Sequence, residues 1–367
     1  MSGPRAASLE LRLADGTRAS GHGFGAARAV GGEVVFCTAM TGYVETLTDP
    51  SYRGQILVLT YPLVGNYGVP GARERGSIAE PYEADRIQVQ ALVVQHAVEH
   101  HSHHSALRSL SEWLASEDVP GIAGIDTRAL TLHLRKQGTM RGRLVPGAEP
   151  DTAIAEIAME DVARLVAPAE VIRYEGGPRS VLVVDAGAKD NLVRSLLARG
   201  VSVVRAPFTA DLARLAAEAD GVVIGSGPGD PKSLAPLVHA TRSLLGSYAR
   251  PIFGVCLGSQ ILALAAGGDT AKLPYGHRGV NQPVQDLLTR RCYVTSQNHG
   301  YAVVEGSLAS GWEPWFVNTN DGTNEGVRST TRPHFGVQFH PEAHPGPADA
   351  AFLFDDFVRL VHAQRRS

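Results

Sequence analysis

A cysteine between two glycines is the residue in this sequence best placed to act as a nucleophile. The segment Gly254-Val255-Cys256-Leu257-Gly258 follows the apolar run PIF and precedes the helical pattern ILALAAGG. A sharp turn from a strand into a helix strains its central residue, and glycines two residues to either side remove side chains that would collide there. The helix N-terminus favours a thiolate, because unpaired N–H groups and the positive end of the helix dipole face it. We therefore predict a nucleophilic Cys256, with the backbone N–H of Leu257 directed at any oxyanion that forms.

A histidine and a glutamate near the C-terminal end form the second predicted part of the site. In PHFGVQFHPEAHPG we expect a strand over 337–340, and Pro341 biases His340 toward an extended backbone. Residues two apart point the same way in an extended chain, so Glu342 can lie beside His340. A carboxylate there fixes the imidazole tautomer and supports its charge when it takes a proton from a thiol. The sequence therefore predicts a triad of Cys256, His340 and Glu342.

A glycine-rich turn forms the third predicted part. The motif GSGPGD at 225–230 follows the apolar strand pattern GVVI. So many glycines let backbone N–H groups approach a substrate, for example a carbonyl oxygen that becomes an oxyanion. The motif is not a phosphate-binding loop, because GxxxxGK[ST] is absent from the chain. Taken alone, the motif would fit a simple tight turn equally well.

The elements that must position these residues follow a regular order from Ser180 onward. SVLVVDAG is an apolar run without alternation, as expected for a strand of a parallel sheet whose two faces are covered by helices. Helix and strand patterns then alternate through NLVRSLLARG, VSVVRAPF, DLARLAAEA and GVVI to PIFGV. This order predicts a doubly wound, flavodoxin-like α/β sheet with its site at the carboxyl ends of the strands.

The first part of the chain has a different style, and its 367 residues suggest two domains. LELRLADG, GEVVFCTAM and GQILVLTYP read as strands, and helical patterns follow at 105–116 and in TRALTLHLRKQG. We predict an N-terminal mixed α/β domain at 1–146 and a linker at 147–179 with one short helix at 153–166. The doubly wound domain takes 180–367.

Composition narrows the classes of function. A formal net charge of -3 lacks the basic surplus of a nucleic-acid-binding protein. Three cysteines without paired spacing suit a reducing cytosol, and we expect Cys37 and Cys292 to be buried packing residues. The chain shows neither a signal peptide nor an apolar run of the ~20 residues that cross a membrane. We therefore expect a cytoplasmic protein without a nucleic-acid or membrane partner.

The three site elements together resemble the class I (triad) glutamine amidotransferases over about residues 180–365. The remaining text is similar to the family of carbamoyl-phosphate synthetase small chains. That similarity rests on GEVVFCTAMTGYVETLTDPSYRGQILVLTYPLVGNYG and GIAGIDTRALTLHLRKQG in the first half. In the second half it rests on VVDAGAKDNLVRSLLARG, SGPGDP, SQNHGYAV and HPEAHPGPADAAFLFDDF. The resemblance therefore runs nearly from end to end.

The resemblance implies a glutamine-hydrolysing subunit. Cys256 would attack the side-chain amide of L-glutamine, His340 would protonate the leaving ammonia, and water would cleave the γ-glutamyl thioester. Matched position by position, it also implies the glutamine-binding residues, which are Ser51, Gly227, Gly229, Leu257, Gln260, Asn298, Gly300 and Tyr301.

The resemblance also implies a division of labour between two chains. A large synthetase subunit would dock on the N-terminal domain and receive the ammonia through a tunnel. That partner would use the ATP, magnesium and bicarbonate, so we expect neither a cofactor nor a metal site in this chain. Whether the carbamoyl phosphate serves arginine or pyrimidine biosynthesis stays open, as does any assembly beyond a heterodimer.

Three positions depart from the family's usual text. Ser259 replaces the histidine of GxCLGHQ, Ser226 stands where asparagine is common, and Tyr301 stands where phenylalanine is usual. None of them removes a member of the triad. Ser259 lies three residues from the nucleophile, so it bears on the rate of hydrolysis more than on the reaction.

Three alternatives stay open at this point. One is a free-standing hydrolase of γ-glutamyl bonds, and another is a docking and regulatory subunit with a weakened glutaminase, for which Ser259 is the clue. The third is the amidotransferase partner of another synthetase. The N-terminal domain argues against the first and the third. The cluster QHAVEHHSHHS at 95–105 could bind metal adventitiously, but we expect a solvated surface segment.

Overall fold

The computed structural model describes residues 8–74, 78–147 and 162–363. The chain divides into two compact units, Met1–Met159 and Glu160–Ser367. Each unit has its own sheet.

The first unit is built on a closed barrel. Its strands are β1 (Ser8–Leu13), β2 (Arg18–Gly25), β3 (Val30–Cys37), β4 (Gln55–Leu59), β5 (Leu63–Val64), β6 (Val69–Pro70), β7 (Arg73–Glu74), β8 (Ala79–Glu80), β9 (Ala91–Val93), β10 (His96–Ala97), β11 (Ala106–Arg108), β12 (Pro120–Ala123) and β13 (Met140–Pro146). The barrel order is β1-β13-β3-β4-β9-β12-β2, and the short strands pair among themselves. The described part of this unit also contains three α-helices, α1 (Tyr43–Thr48), α2 (Leu110–Ser116) and α3 (Thr127–Gln137). The β-branched and leucine residues of β3, β4 and β9 are buried and form much of its core.

Most local predictions for this unit are confirmed. The runs GEVVFC and QILVL form β3 and β4, and TRALTLHLRKQ forms α3. The helix expected at 105–116 begins only at Leu110, so its first part was wrong. Ser109 is the N-cap of α2 and forms a capping box with Glu112, so the helix begins after Ser109. Residues 106–108 form β11 instead.

The second unit contains a ten-stranded mixed sheet. Its strands are β14 (Ile172–Tyr174), β15 (Ser180–Asp185), β16 (Ser202–Pro207), β17 (Gly221–Ile224), β18 (Ile252–Val255), β19 (Thr270–Asp286), β20 (Cys292–Val303), β21 (Trp312–Asn318), β22 (Asn324–Ser329) and β23 (His334–Val337). The sheet order is β14-β16-β15-β17-β18-β23-β22-β21-β19-β20. Strands β16, β15, β17, β18 and β23 are parallel, and the others extend the sheet with antiparallel pairs.

Helices cover both faces of the parallel part, as the uninterrupted apolar strands predict. The helices are α4 (Asp190–Leu197), α5 (Leu212–Glu218), α6 (Ala235–Ser247), α7 (Leu257–Ala265) and α8 (Phe352–Ala363). One hydrophobic cluster joins β15 and β17 to α5, α6 and α7. Phe253 of β18 instead contacts Phe354 and Phe357 of α8, with ring centroids 5.6 and 5.8 Å apart. The predicted α/β fold class is confirmed.

The predicted linker at 147–179 needs a correction. Residues 148–161, which hold most of the helix expected at 153–166, lie outside the described residues. From residue 162 the chain belongs to the second unit, starting with a 3₁₀ turn at Val162–Leu165. Strand β14 then pairs antiparallel with β16 and forms one edge of the sheet. Among the described residues, no helix is both long and apolar enough to cross a membrane.

Candidate active site

The nucleophile elbow lies where β18 ends and α7 begins. Cys256 occupies this single-residue turn with φ 54° and ψ -107°, a conformation that few non-glycine residues adopt. A Cβ on Gly254 would lie 2.6 Å from the backbone of Gly258, and one on Gly258 would lie 1.9 Å from the carbonyl oxygen of Ile224. Both glycines are therefore required sterically. The Cys256 N–H donates to the carbonyl of Val337 at 2.8 Å, which ties the elbow to β23.

The Cys256 side chain is buried and has two polar neighbours. Its thiol lies 3.7 Å from the carbonyl oxygen of Asn298, and the Gln338 side-chain amide donates to Sγ at 3.6 Å. The Gln338 Oε1 in turn accepts a hydrogen bond from Gln260 Nε2 at 2.9 Å. Two amide side chains thus hold each other and place one N–H on the sulfur, which stabilises a thiolate. Sequence analysis did not single out Gln338.

His340 and Glu342 form a buried pair beside the thiol. The strand expected at 337–340 ends at Val337, but the His340 N–H still bonds the carbonyl of Ser296 at 2.8 Å in an isolated bridge. His340 Nδ1 lies 2.6 Å from Glu342 Oε1, the contact that i, i+2 spacing predicted. His340 Nε2 is buried and has no hydrogen-bond partner among the described residues, which leaves it for the thiol and the substrate.

The charge state of this pair follows from its surroundings. Burial disfavours a charged imidazole, but the negative charges of Glu342 and of the Cys256 thiolate raise the pKa of His340 to about 10. Burial also works against the Glu342 carboxylate, yet the positive charges of His340 and Lys189 lower the pKa of Glu342. Histidine and glutamate are therefore both charged at neutral pH, and the imidazolium is ready to donate a proton.

Lys189 is a second residue that sequence analysis missed. It is almost completely buried, and its Nζ donates to the carbonyl of Ala343, next to Glu342. Asn191 donates its side-chain amide to the Glu342 carbonyl in the same way. The Asp185 carboxylate accepts the N–H groups of Gly187 and Ala188 at 2.6 and 2.7 Å and shapes the turn that delivers Lys189. A lone lysine just after an apolar strand was the available signal.

The predicted glutamine-binding residues of the second unit lie around the elbow. Leu257 is the first residue of α7, so its N–H has no partner within the helix. A Cβ on Gly227 would lie 2.9 Å from Leu257 Cδ2, which puts the turn at 225–230 against the helix start, and Gly229 has a positive φ of 95°. Gln260 donates to the carbonyl of Tyr301 at 2.8 Å.

Three further predicted residues, Asn298, Gly300 and Tyr301, lie on β20, which passes the thiol at Asn298. Asn298 is buried, whereas Gly300 and Tyr301 are partly exposed. The structure therefore brings Gly227, Leu257, Gln260 and Asn298 to the environment of Cys256. Their contacts with glutamine remain predictions.

Ser51 lies in the first unit. It occupies a 3₁₀ turn at Pro50–Tyr52, where its N–H donates to Asp49 Oδ1 at 2.9 Å. Its Oγ is buried and has no hydrogen-bond partner among the described residues. A free hydroxyl suits a ligand contact, and the predicted role of Ser51 toward glutamine remains a prediction.

Ser259, the histidine-rich segment at 95–105 and the two other cysteines are not part of the triad. Ser259 packs against Gly336 of β23, within about 3 Å of the position that a Cβ would take there. The histidines of the 95–105 segment are mostly exposed, and among the described residues they do not form a set of three ligands. Cys37 is buried as expected, but Cys292 is exposed, because it opens β20 where the strand emerges from a turn.

Comparisons with known proteins support the same description. Residues 11–144 match the family model of the carbamoyl-phosphate synthase small chain, CPSase domain. Residues 182–360 match the model of glutamine amidotransferase class-I. The two matched ranges correspond to the two parts of the chain in which the sequence shows a resemblance.

Curated relatives match nearly the whole chain. The carbamoyl phosphate synthase arginine-specific small chain of Emericella nidulans is 44% identical over 362 residues, which cover 97% of this chain and 80% of that protein. The multifunctional protein URA2 of Saccharomyces cerevisiae is 42% identical over 395 residues, which cover 98% of this chain but only 18% of that protein. Related sequences thus occur both as a small chain and as part of a longer polypeptide.

Proposed function

We propose a residue-level account of glutamine hydrolysis for this chain, which belongs to the family of carbamoyl-phosphate synthase small chains. Its second unit is a class I glutamine amidotransferase domain. The chain is the amidotransferase subunit of a carbamoyl phosphate synthase, hydrolyses glutamine and supplies ammonia to a large subunit. Which residues carry out the steps is the proposal that follows.

In the first half of the reaction the Cys256 thiolate attacks the side-chain amide carbon of L-glutamine. The carbonyl oxygen becomes an oxyanion that accepts the N–H of Leu257, with a second donor from the glycine-rich turn around Gly227. The His340 imidazolium gives its Nε2 proton to the amide nitrogen as the carbon–nitrogen bond breaks. Ammonia leaves, a γ-glutamyl thioester forms on Cys256, and His340 becomes neutral.

In the second half the neutral His340 takes a proton from water. The resulting hydroxide attacks the thioester carbon, the carbon–sulfur bond breaks, and glutamate leaves with the Cys256 thiolate regenerated. Glu342 keeps the imidazole oriented and stabilises its charge in both halves. Lys189 and Asn191 hold the Glu342 backbone and the turn behind it.

The finer assignments belong to the same proposal. The large subunit binds ATP and magnesium, receives the ammonia and docks on the first unit. A route shielded from water has a chemical reason, because ammonia would be protonated in neutral solution and lose its nucleophilicity. Relatives named arginine-specific support a place in arginine synthesis, and the free cysteines suit a cytoplasmic location.

The observation that carries the proposal is the charged His340–Glu342 pair with its open Nε2 beside a cysteine held in a strained elbow. The test measures glutamate release from glutamine by the purified chain, alone and with its large subunit, ATP and bicarbonate. We expect slow hydrolysis alone and a sharp rise in the complex.

The matched variant is Cys256→Ser in the complex. It removes the thiolate, so we expect a loss of glutamine-dependent synthesis of at least about 1000-fold, while synthesis from added ammonia stays intact. Loss of both activities would give Cys256 a structural role. Fast hydrolysis indifferent to the large subunit would favour a free-standing hydrolase. Ammonia use without glutamine use in the wild type would indicate a silenced glutaminase.

A further inference from the structure

Behind the strand that passes the thiol lies a second buried group of polar side chains, which the mechanism above does not use. It contains His277 of β19, His299 of β20 and Glu325 of β22, whose ligand atoms lie within 4.8 Å of one another. Asn318, at the end of β21, and Asp321 in the following turn complete the group. We call these five residues the rear cluster.

The rear cluster is centred on an ion pair between His277 and Glu325. His277 Nδ1 lies 3.2 Å from Glu325 Oε1, and His277 Nε2 lies 2.9 Å from Asp321 Oδ2, so both nitrogens face carboxylates. Asn318 Nδ2 donates to the same Glu325 oxygen at 3.0 Å. The Glu325 side chain is fully buried, and its Oε2 has no hydrogen-bond partner among the described residues. Burial raises the pKa of Glu325, and the hydrogen bond and charge of His277 are the main contacts that oppose this shift.

These contacts settle which imidazole carries the charge. Burial alone would lower the pKa of His277, but the hydrogen bonds and charges of Glu325 and Asp321 raise it. Burial and the neighbouring positive charge of His277 hold the pKa of His299 well below its ordinary value. His299 is thus the neutral ring, with its Nδ1 2.9 Å from the carbonyl oxygen of Tyr301. Its Nε2 lies 3.1 Å from Gln297 Oε1, so both ring nitrogens face an oxygen and the single proton serves one of the two contacts.

The rear cluster lies beside a strand at the end of the sheet. Strand β20 pairs with β19, and the described residues also hold it through the bridge at His340 and the bond from Gln260 to the Tyr301 carbonyl. The pairing is interrupted where it matters, because Tyr301 faces Lys272 and His299 faces His277, with four residues of β19 opposite Gly300 alone. Gly276 allows this bulge, since a Cβ there would lie 2.2 Å from the carbonyl oxygen of His299.

We propose that the His277–Glu325 pair is a positioning group that locks β20 across this bulge and thereby sets the affinity of the site for glutamine. The pair anchors β19 to β22 directly after the bulge, and His277 packs edge to face against His299 across the strands, with ring centroids 4.9 Å apart. His299 Nδ1 lies 2.9 Å from the carbonyl oxygen of Tyr301, which Gln260 also bonds at 2.8 Å. Asn298, Gly300 and Tyr301 are kept in register by residues that do not touch the substrate.

A metal ion would be another occupant for two histidines and a glutamate. The contacts favour the ion pair, because Asn318 directs an N–H at the Glu325 oxygen that a cation would need. His277 is also held from both sides by carboxylates, a geometry that uses both of its protons. These contacts occupy both nitrogens of His277 and one oxygen of Glu325.

The inference rests on the proposed function, and its test uses the complex with the large subunit. Glu325→Gln keeps the shape of the side chain but leaves the His277 charge without its buried partner. We expect the KM for glutamine to rise about tenfold, with kcat changed by less than about twofold. The double variant His277→Asn/Glu325→Gln removes both charges, so its KM should rise no further than that of Glu325→Gln.

Two thiol reagents separate positioning from a general loss of structure. Iodoacetamide alkylation, followed on the peptide that contains Cys256 because Cys292 is exposed, needs no glutamine pocket, so its rate should be unchanged in Glu325→Gln. A chloroketone analogue of glutamine must bind before it alkylates, so its inactivation should slow about tenfold, in step with KM.

The matched control is Asp220→Asn. Asp220 forms a largely buried ion pair with Arg179 at 2.9 Å, before β17 and so at the amino ends of the parallel strands, opposite the site. This variant should lose stability in denaturant without a change in KM. An unchanged KM in Glu325→Gln, or equal losses with both thiol reagents, would overturn the inference. So would a KM of the wild-type small chain, measured without its large subunit, that changes when metal is removed by a chelator. Failure of the proposed function itself would differ, because the wild type would then not hydrolyse glutamine.

Discussion

Among its described residues, the second unit contains two buried histidine–glutamate pairs in which the second ring nitrogen of the histidine has different surroundings. His340 Nδ1 lies 2.6 Å from Glu342, and His277 Nδ1 lies 3.2 Å from Glu325. In both pairs the carboxylates overcome burial and raise the pKa of the histidine. The other ring nitrogen distinguishes them. Nε2 of His340 has no hydrogen-bond partner among the described residues, whereas Nε2 of His277 is held by Asp321 at 2.9 Å.

This difference distinguishes a histidine that can transfer protons from one that holds strands in position. An imidazolium whose second nitrogen is open can pass a proton to a substrate and take one from water. An imidazolium that is held on both sides keeps its protons and serves as a fixed link between strands. The same pair of residue types therefore does different work, and the partner of the second nitrogen decides which.

The largest effect should come from asparagine substitutions of the two histidines. His340→Asn removes the proton carrier, and we expect kcat for glutamine hydrolysis to fall about 10²- to 10⁴-fold. His277→Asn removes only the link, so KM should rise about tenfold with kcat nearly unchanged. Steady-state kinetics of glutamate release in the complex measures both values. A kcat loss in His277→Asn as deep as that in His340→Asn would erase the distinction.

A smaller effect is expected at the amide that contacts the thiol. Gln338→Leu removes the donor to Cys256 Sγ, so the rate of Cys256 alkylation by iodoacetamide and kcat should both fall about tenfold. Gln285→Leu is the control, because the Gln285 amide makes a similar contact, 3.8 Å from the Sγ of Cys292, away from the triad. If both variants behave like the wild type, Gln338 does not stabilise the thiolate.

The smallest effect concerns stability and pH. The folded pKa of His340, about 10, lies above its ordinary value of 6.5, so the folded state binds this proton more tightly than the unfolded state does. The resulting stability is fully present below about pH 6.5 and is lost as the pH rises through 10. Urea unfolding at pH 7 and pH 10 should show a loss for the wild type that is smaller in His340→Asn. Equal losses in both proteins would mean that His340 is not held charged by the fold.

The parts of the site that sequence analysis found are those that depend on short-range geometry. Cys256 lies between two glycines that are each two residues away. His340 contacts Glu342, which is also two residues away, so both features are local in the sequence. Strands such as β15 and β18 could be predicted from the sequence, because a parallel strand that is buried on both faces forms a nearly continuous apolar run.

The parts it missed depend on pairing between distant segments. Gln338 reaches Cys256 only because β23 lies next to β18, and His277 meets Glu325 only through the antiparallel strands β19, β21 and β22. Lys189 looks like a surface residue in the sequence, yet the fold buries it against the turn after Glu342. The segment that forms β14 was predicted to be linker, because a strand of three residues carries little periodic signal.

The central claim is that hydrolysis passes through a thioester on Cys256. The most direct measurement quenches the complex with acid during turnover on glutamine and locates the bound γ-glutamyl group by peptide mass spectrometry. We predict that the group is found on the peptide containing Cys256 and is absent from Cys256→Ser. A γ-glutamyl group on another residue, or steady glutamate release by Cys256→Ser at the wild-type rate, would contradict the account.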